Sequence, residues 1–174
     1  IAILYRTNSQ SRHLEEYFIK ANLPYQIIGG LRFYERKEIK DCLAILRILA
    51  GNNDRMNLLR LTESVSNGIG IKSIQQFIEV SPEIGILDKL EILDKLDLSD
   101  QVKKKFKQLE WLNQARLLLS KSNKLGETIE EILKLSGIFD SYNENYSEEN
   151  RINRIENIKE LIGVSNLYND STLA

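Results

Sequence analysis

Ile1-Ala-Ile-Leu-Tyr-Arg-Thr-Asn-Ser-Gln-Ser-Arg12 opens the chain as a short apolar run and turns polar abruptly at Tyr5. A buried parallel strand that delivers side chains to a site at its carboxyl end reads this way. A functional site is therefore expected just after Leu4. A second apolar run, Tyr25-Gln-Ile-Ile28, is followed by Gly29-Gly-Leu-Arg-Phe-Tyr-Glu-Arg-Lys-Glu-Ile-Lys-Asp41, where a glycine pair turns directly into a helix. Two strands with a helix between them make one right-handed βαβ unit. The expected helix covers about 11–21, with Leu14, Tyr17, Phe18 and Ala21 on one apolar face laid against the sheet.

Beyond this opening the pattern is helical to the end. Ile39, Leu43, Leu46 and Leu49 mark a helix over about 34–50, and Asp54 caps another over about 55–64. Gly68-Ile-Gly70 precedes a short helix with Ser73 near its start, a turn that bares backbone N–H groups suited to a phosphate oxygen. One acidic helix or helical pair is expected over 86–98. A long helix from about Ser99 carries Val102, Phe106, Leu109 and Leu112, and three more helices are expected at about 128–135, 138–146 and 149–168. The fold class is thus mostly α with a small N-terminal α/β part, a partial βαβ unit followed by a helical domain. The division is placed at 1–97 and 98–174.

Composition sets the limits. The 174 residues are 42% hydrophobic and 28% charged, enough for one core or two small ones. The 24 Lys and Arg nearly cancel the 25 Asp and Glu, so overall charge implies no polyanionic partner. Local clustering differs: residues 99–125 carry seven cations against Asp100 and Glu110, and residues 126–150 carry seven carboxylates against Lys134. The single Cys42 excludes an internal disulfide and, with the single His13, offers no metal-ligand set. No run approaches the ~20 apolar residues of a membrane span, and no signal peptide is visible. A reducing, cytoplasmic setting is expected. The chain starts at Ile1 inside an apolar run and without methionine, so it is expected to be a piece of a larger protein.

These residues carry a resemblance. The block from Ala2 to Arg12 with Leu14-Glu-Glu16, then Pro24-Tyr25, then Gly29 to Asp41, resembles the fourth helicase motif and its companion in UvrD/PcrA/Rep-type superfamily-one DNA helicases. Asn67-Gly-Ile-Gly70 resembles a glycine turn at the same point in that family, and Arg154-Ile-Glu-Asn-Ile-Lys-Glu-Leu161 a helix late in its insertion. The match is dense over 1–75 and sparse over 80–150. It implies a fragment running from the start of the second RecA-like motor domain into the helical domain inserted in it. Its partners would be DNA, single-stranded and at a duplex junction, and the missing first RecA-like domain of the same chain. ATP with Mg²⁺ would be used by the full-length parent, which steps 3′ to 5′ along single-stranded DNA. No phosphate loop of the G-x-x-x-x-G-K-[ST] type is present, so the fragment is expected to bind no cofactor and to hydrolyse no ATP alone.

The resemblance also implies site residues. Arg6 matches the arginine that reaches the γ-phosphate, where a permanently charged fork stabilises charge developing in phosphoryl transfer. Its plain alternative is a surface arginine paired with Glu15 or Glu16. Tyr5 matches the tyrosine that stacks on adenine, and its alternative is a half-buried strand-end tyrosine. Gln10 and Arg12 either orient the nucleotide or an interdomain contact, or serve as cap and solvated residue. Arg32, Arg36 and Lys37 are the phosphate-contact candidates of the second block, whose alternative is a row of i,i+4 pairs worth only ~0.2–0.5 kcal/mol each. Gly68, Ile69 and Gly70 would clamp a duplex backbone, and Ser136-Gly137 is a second helix-start turn of similar character. Lys103 to Lys107 reads as a solvated face unless it meets duplex DNA. Trp111, His13 and Cys42 read as structural. The competing function is a stand-alone helical module that binds a protein through the two charge patches. The motor reading requires a true strand at the opening and an Arg6 not locked in an internal ion pair.

Overall fold

The computed structural model describes residues 1–6, 10–28, 30–66 and 68–166, with only the backbone for 143–145. Among the described residues the architecture is helical: α1 Ser11–Lys20, α2 Lys37–Leu49, α3 Arg55–Val65, α4 Ile71–Glu79, α5 Ile86–Glu91, α6 Asp100–Phe106, α7 Trp111–Lys121, α8 Leu125–Leu135, α9 Ile138–Asn145 and α10 Glu148–Ser165. Local chemistry sets several of these boundaries. Asp54 accepts the Met56 N–H at 3.0 Å and starts α3 as its N-cap. Asn22 takes a left-handed φ of 52° after α1, and Leu23 N–H closes back on Phe18 O at 2.8 Å, which stops the helix ahead of Pro24. The turn at Gly29, Asn67 and the expected end of the last helix at 168 lie outside the described residues.

The two expected strands are not formed among the described residues. Residues 1–5 and 23–27 run without regular structure along a cleft of about 840 Å³ that α1 also lines with Leu14 and Phe18. A parallel strand exists only in its ladder, and two short segments bury neither edges nor faces. Ile1 and Leu4 accordingly stand almost wholly exposed. The expected face of α1 is corrected as well. Ser11, Arg12 and Glu15 are its buried residues, while Tyr17 is exposed.

The helical core is continuous from Phe33 to Ile162 and does not divide at residue 97. α2 is its axis, with Ile39, Cys42, Ala44 and Ile45 fully buried. The long helix expected from Ser99 is broken by a 3-10 turn at Lys107–Leu109. Phe106, Leu109 and Leu112 are all fully buried and spaced three apart, a spacing that stays on one line only where the backbone tightens to three residues per turn. Phe106 stacks on Phe77 of α4 at 4.0 Å, joining α6 to α4. Buried Lys89 fastens the end of α4 by donating to Phe77 O at 3.1 Å and Ile78 O at 2.7 Å. Burial holds its pKa below the ordinary lysine value, partly offset by Glu83. Trp111 is partly buried against the same core.

Candidate functional site

The opening segment ends on Tyr5 and Arg6, which lie on the surface beside the cleft. The carboxylates nearest to Arg6 in sequence are committed elsewhere. Glu15 accepts the Ser11 hydroxyl at 2.7 Å and the Phe33 N–H at 3.2 and 3.1 Å, holding the 3-10 turn Phe33–Glu35 against α1. Glu16 accepts from Arg12 at 2.7 Å and from the Tyr34 hydroxyl at 3.2 Å. No ion pair joins the Arg6 guanidinium to another described residue. Its backbone N–H donates to the Gln10 side chain at 3.0 Å.

The second block divides by exposure. Arg32 is exposed, next to buried Phe33. Lys37 is half exposed and donates to Asp41 at 2.9 Å. Arg36 is 7% exposed and is not free to meet a phosphate. Its guanidinium donates to Asn157 at 2.9 Å and Ser11 at 2.7 Å and lies 5.3 Å from the centre of the Phe33 ring. Burial pushes its pKa below the ordinary arginine value, against the pull of Glu15, Glu38 and Tyr5. Arg36 is thus a cross-link between α1, α2 and α10.

In the glycine turn, Gly68 has φ +80°, a conformation costly for any residue with a Cβ. Gly70 is the N-cap of α4 with no side-chain cap, so the first N–H groups of that helix lack a side-chain acceptor there. Ile69 between them is buried and roots the turn in the core, so any DNA contact it makes is through backbone. Ser136 is also buried. Its hydroxyl donates to Leu133 O at 2.8 Å and accepts from Ile138 N–H at 3.2 Å, which leaves Gly137, at φ +74°, as the outer part of that turn. Of the 99–125 cations, Lys107 pairs with Asp94 and Arg116 with Asp88 and Glu91, while Lys103 donates to the Asp94 backbone carbonyl, so this patch is partly neutralised by the acidic segment before it.

Residues that the sequence reading passed over join these pieces. Glu38, 4% exposed, accepts from Asn157 and from Arg154 of α10. Glu160 accepts from Arg12 Nε at 2.6 Å. Burial alone would lower the Arg12 pKa, yet its bonds to Glu16 and Glu160 raise it above the ordinary value. His13 is largely exposed, 3.6 Å from Glu160. Cys42 is fully buried, and burial, then Asp41 and Glu38, drives its thiol pKa well up, so it is a core residue. Among the described residues no group of three His, Cys, Asp or Glu is placed to hold a metal ion. No described helix is long and apolar enough to cross a membrane.

Known proteins match this chain along its full extent. The sequence profile of the UvrD-like helicase C-terminal domain matches residues 1–173. A protein of Staphylococcus epidermidis called ATP-dependent DNA helicase PcrA is 37% identical over 174 residues, which cover 99% of this chain and 24% of that protein. Its namesake in Staphylococcus aureus is 38% identical over 177 residues, with the same shares. The chain therefore spans about a quarter of the length of the curated relatives it matches. With the profile covering all but the last residue, the motif blocks and the helical part fall in one match, and the chain belongs to the UvrD-like helicase C-terminal domain family.

Proposed function

We propose that this chain forms part of an ATP-dependent DNA helicase, in which it supplies one wall of a nucleotide site and a DNA-contacting helical region. Arg6 would meet the γ-phosphate and Tyr5 would stack on adenine. The opposite wall would come from a first RecA-like domain, and stepping would run 3′ to 5′ on single-stranded DNA. The observation that carries this reading is that the family match runs through the Tyr5-Arg6 block while Glu15 and Glu16 are spent on other donors. An arginine kept out of local ion pairs can serve an anion from outside the chain; its fork of donors stabilises spreading charge on a transferring phosphoryl group. ATP brings Mg²⁺ when bound; among the described residues no group of three His, Cys, Asp or Glu is placed to hold the ion.

Residues 1–97 would belong to the motor domain, as the start of its α/β part, and 98–174 to its helical insertion. Because the core is continuous across that point, the division would mark a change of role and not a break in packing. The strand expected at the opening is not formed among the described residues, so the motor reading rests on the family match, and residues 1–5 and 23–27 would become strands when further strands extend the sheet. For DNA, Arg32 and Lys37 have the exposure a phosphate contact needs, and the turn Gly68-Ile69-Gly70 presents the uncapped start of α4. Gly137 is a weaker candidate on the same grounds, with Ser136 shaping its turn.

The test is Arg6→Ala in the intact protein. DNA-stimulated ATP turnover should fall by orders of magnitude, about 10³-fold or more for an arginine acting on the transferring group, while DNA binding without nucleotide is retained. Equal loss of both would mean that the substitution unfolds the protein, and unchanged turnover would remove Arg6 from the site.

A further inference from the structure

The four residues Leu-Asp-Lys-Leu occur twice in close succession, at 87–90 and at 93–96. In both copies the leucines are buried, yet Lys95 is exposed and Lys89 is only 3% exposed. Local sequence therefore does not bury Lys89; the surroundings of α5 do. Its ammonium donates to Phe77 O at 3.1 Å and Ile78 O at 2.7 Å and lies 5.7 Å from the centre of the Phe77 ring. Val80 N–H makes the last backbone bond of α4, to Gln76 O, so those two carbonyls lie beyond the helical ladder and Lys89 satisfies them from another helix. Glu83 acts on the ammonium through space and without a hydrogen bond.

A buried cation held by neutral acceptors is a costly way to join two helices, because taking the charge out of water is repaid only in part. An apolar side chain at position 89 would fill the same space more cheaply. What the ammonium adds is direction. Ile74 and Phe77 hold α4 by apolar contact, both fully buried, with Phe77 stacked on Phe106 at 4.0 Å. Such contacts leave a nine-residue helix room to rock, whereas two bonds from one ammonium set its C-terminal end. A helix of that length, about 14 Å, moves as a rod. Its other end carries the turn Gly68-Ile69-Gly70, where Ile74 N–H makes the first backbone bond, to Gly70 O, and the N–H groups of Ile71, Lys72 and Ser73 precede the ladder.

We infer that Lys89 is a positioning residue for duplex DNA: by pinning the C-terminal carbonyls of α4, it holds the first N–H groups of that helix where a backbone phosphate meets them. This rests on the duplex reading of the Gly68 to Gly70 turn. Lys89 itself touches no DNA, since it is buried at the end of α4 remote from the turn.

The experiment uses the intact protein with Lys89→Met, which keeps the stem and removes the donors, with Gly70→Ala, and with the two together. Affinity is titrated over a range of salt for a 3′-tailed duplex and for a single strand of the tail sequence. Lys89→Met should weaken duplex binding about 3- to 10-fold, short of the loss of a whole hydrogen bond to a charged group, and leave single-strand binding unchanged. The salt slope should hold, because no phosphate contact is removed. The amides of α4 should exchange hydrogen faster, while the unfolding midpoint should stay close to that of the unmodified protein, since the buried charge goes with its bonds. Combined with Gly70→Ala, the substitution should weaken duplex binding no further, because the turn it positions is already blocked. Unchanged duplex affinity, equal loss on both substrates, unchanged exchange in α4 or additive losses would each overturn the proposal. A salt slope lower by about one unit would make Lys89 a phosphate contact and overturn it too. Should Lys89→Met fail to fold, Lys89→Gln, which keeps a shorter donor, carries the same comparison; failure of both means that Lys89 serves folding and not the placing of the turn. A tailed duplex bound no more tightly than its tail by the unmodified protein would sink the duplex reading itself, whereas a normal duplex preference that ignores Lys89 sinks only the positioning role.

Discussion

Asp41 is 1% exposed and takes three donors: Lys37 Nζ at 2.9 Å, the Arg60 guanidinium at 2.9 Å and the Tyr142 hydroxyl at 2.6 Å. Its neighbours differ in what they stand to lose. Burial, then the bond to Asp41, drives the Tyr142 pKa far up, so that hydroxyl is a permanent donor with no water to replace its acceptor. Lys37 and Arg60 keep partial access to solvent. Asp41→Ala should therefore cost about 3–5 kcal/mol, the range for breaking a buried charged pair. Lys37→Ala should cost less than about 1 kcal/mol, because a half-exposed pair is screened by water. Urea denaturation of both variants checks this, and equal losses would mean that Lys37 is the principal partner of Asp41. The same contrast bears on function: Lys37 could leave Asp41 for a phosphate at little cost, and Arg36 could not leave Asn157 and Ser11 so cheaply.

At the scale of the element, the two glycines before α4 are chemically alike and conformationally different. Gly68 sits at φ +80°, where a Cβ is strained whatever the free space, while Gly70 has φ −82° and nothing within 4 Å of an added Cβ. Gly68→Ala should lose about 1–2 kcal/mol, the cost of a left-handed residue bearing a side chain. Gly70→Ala should lose less, about 0.5–1 kcal/mol, because alanine is a poorer N-cap than glycine but is unstrained there. If the turn meets a duplex backbone, Gly70→Ala should nevertheless weaken duplex binding more than single-strand binding, because its Cβ would lie between the phosphate and the first N–H groups of α4. Thermal unfolding and DNA titration separate the two effects, and equal loss on both DNA substrates would remove the turn from the duplex site.

Over the whole molecule, charge links the opening of the chain to its late helix, so acid should loosen that link. Burial would raise the Glu16 pKa, but the hydrogen bond and charge of Arg12, with the Tyr34 hydroxyl and the charge of Lys20, together outweigh it and hold the carboxyl below its usual range. A carboxylate depressed in the folded state binds its proton more readily when unfolded. Its stabilising contribution is therefore complete above the unfolded pKa and lost as pH falls through the folded one. The urea midpoint should decline from neutral pH into the acid range, and Glu16→Gln should flatten part of that decline. Parallel curves for the two proteins would show that the Arg12 and Glu16 pair adds nothing. High salt should do less than acid, since the Arg12 side of the pair is buried and weakly screened.

What the sequence alone determined was what neighbours along the chain decide. α3 begins at its Asp54 cap, α1 stops before Pro24, and α2 follows its apolar spacing, because capping, backbone restriction and helical periodicity act over a few residues. The motif blocks that placed the family are local strings too. Arg36 read as a phosphate contact, Arg12 as a nucleotide, interdomain or solvated residue, and Glu15 and Glu38 as surface charges, because their partners Phe33, Asn157 and Glu160 stand 18 to 148 positions away and no periodicity reports a polar contact at that range. The expected strands stayed unpaired for a related reason, since a ladder is a property of its neighbours and not of one run. Tertiary structure alone decided which charges are buried, because burial depends on what the remote helix α10 brings to them.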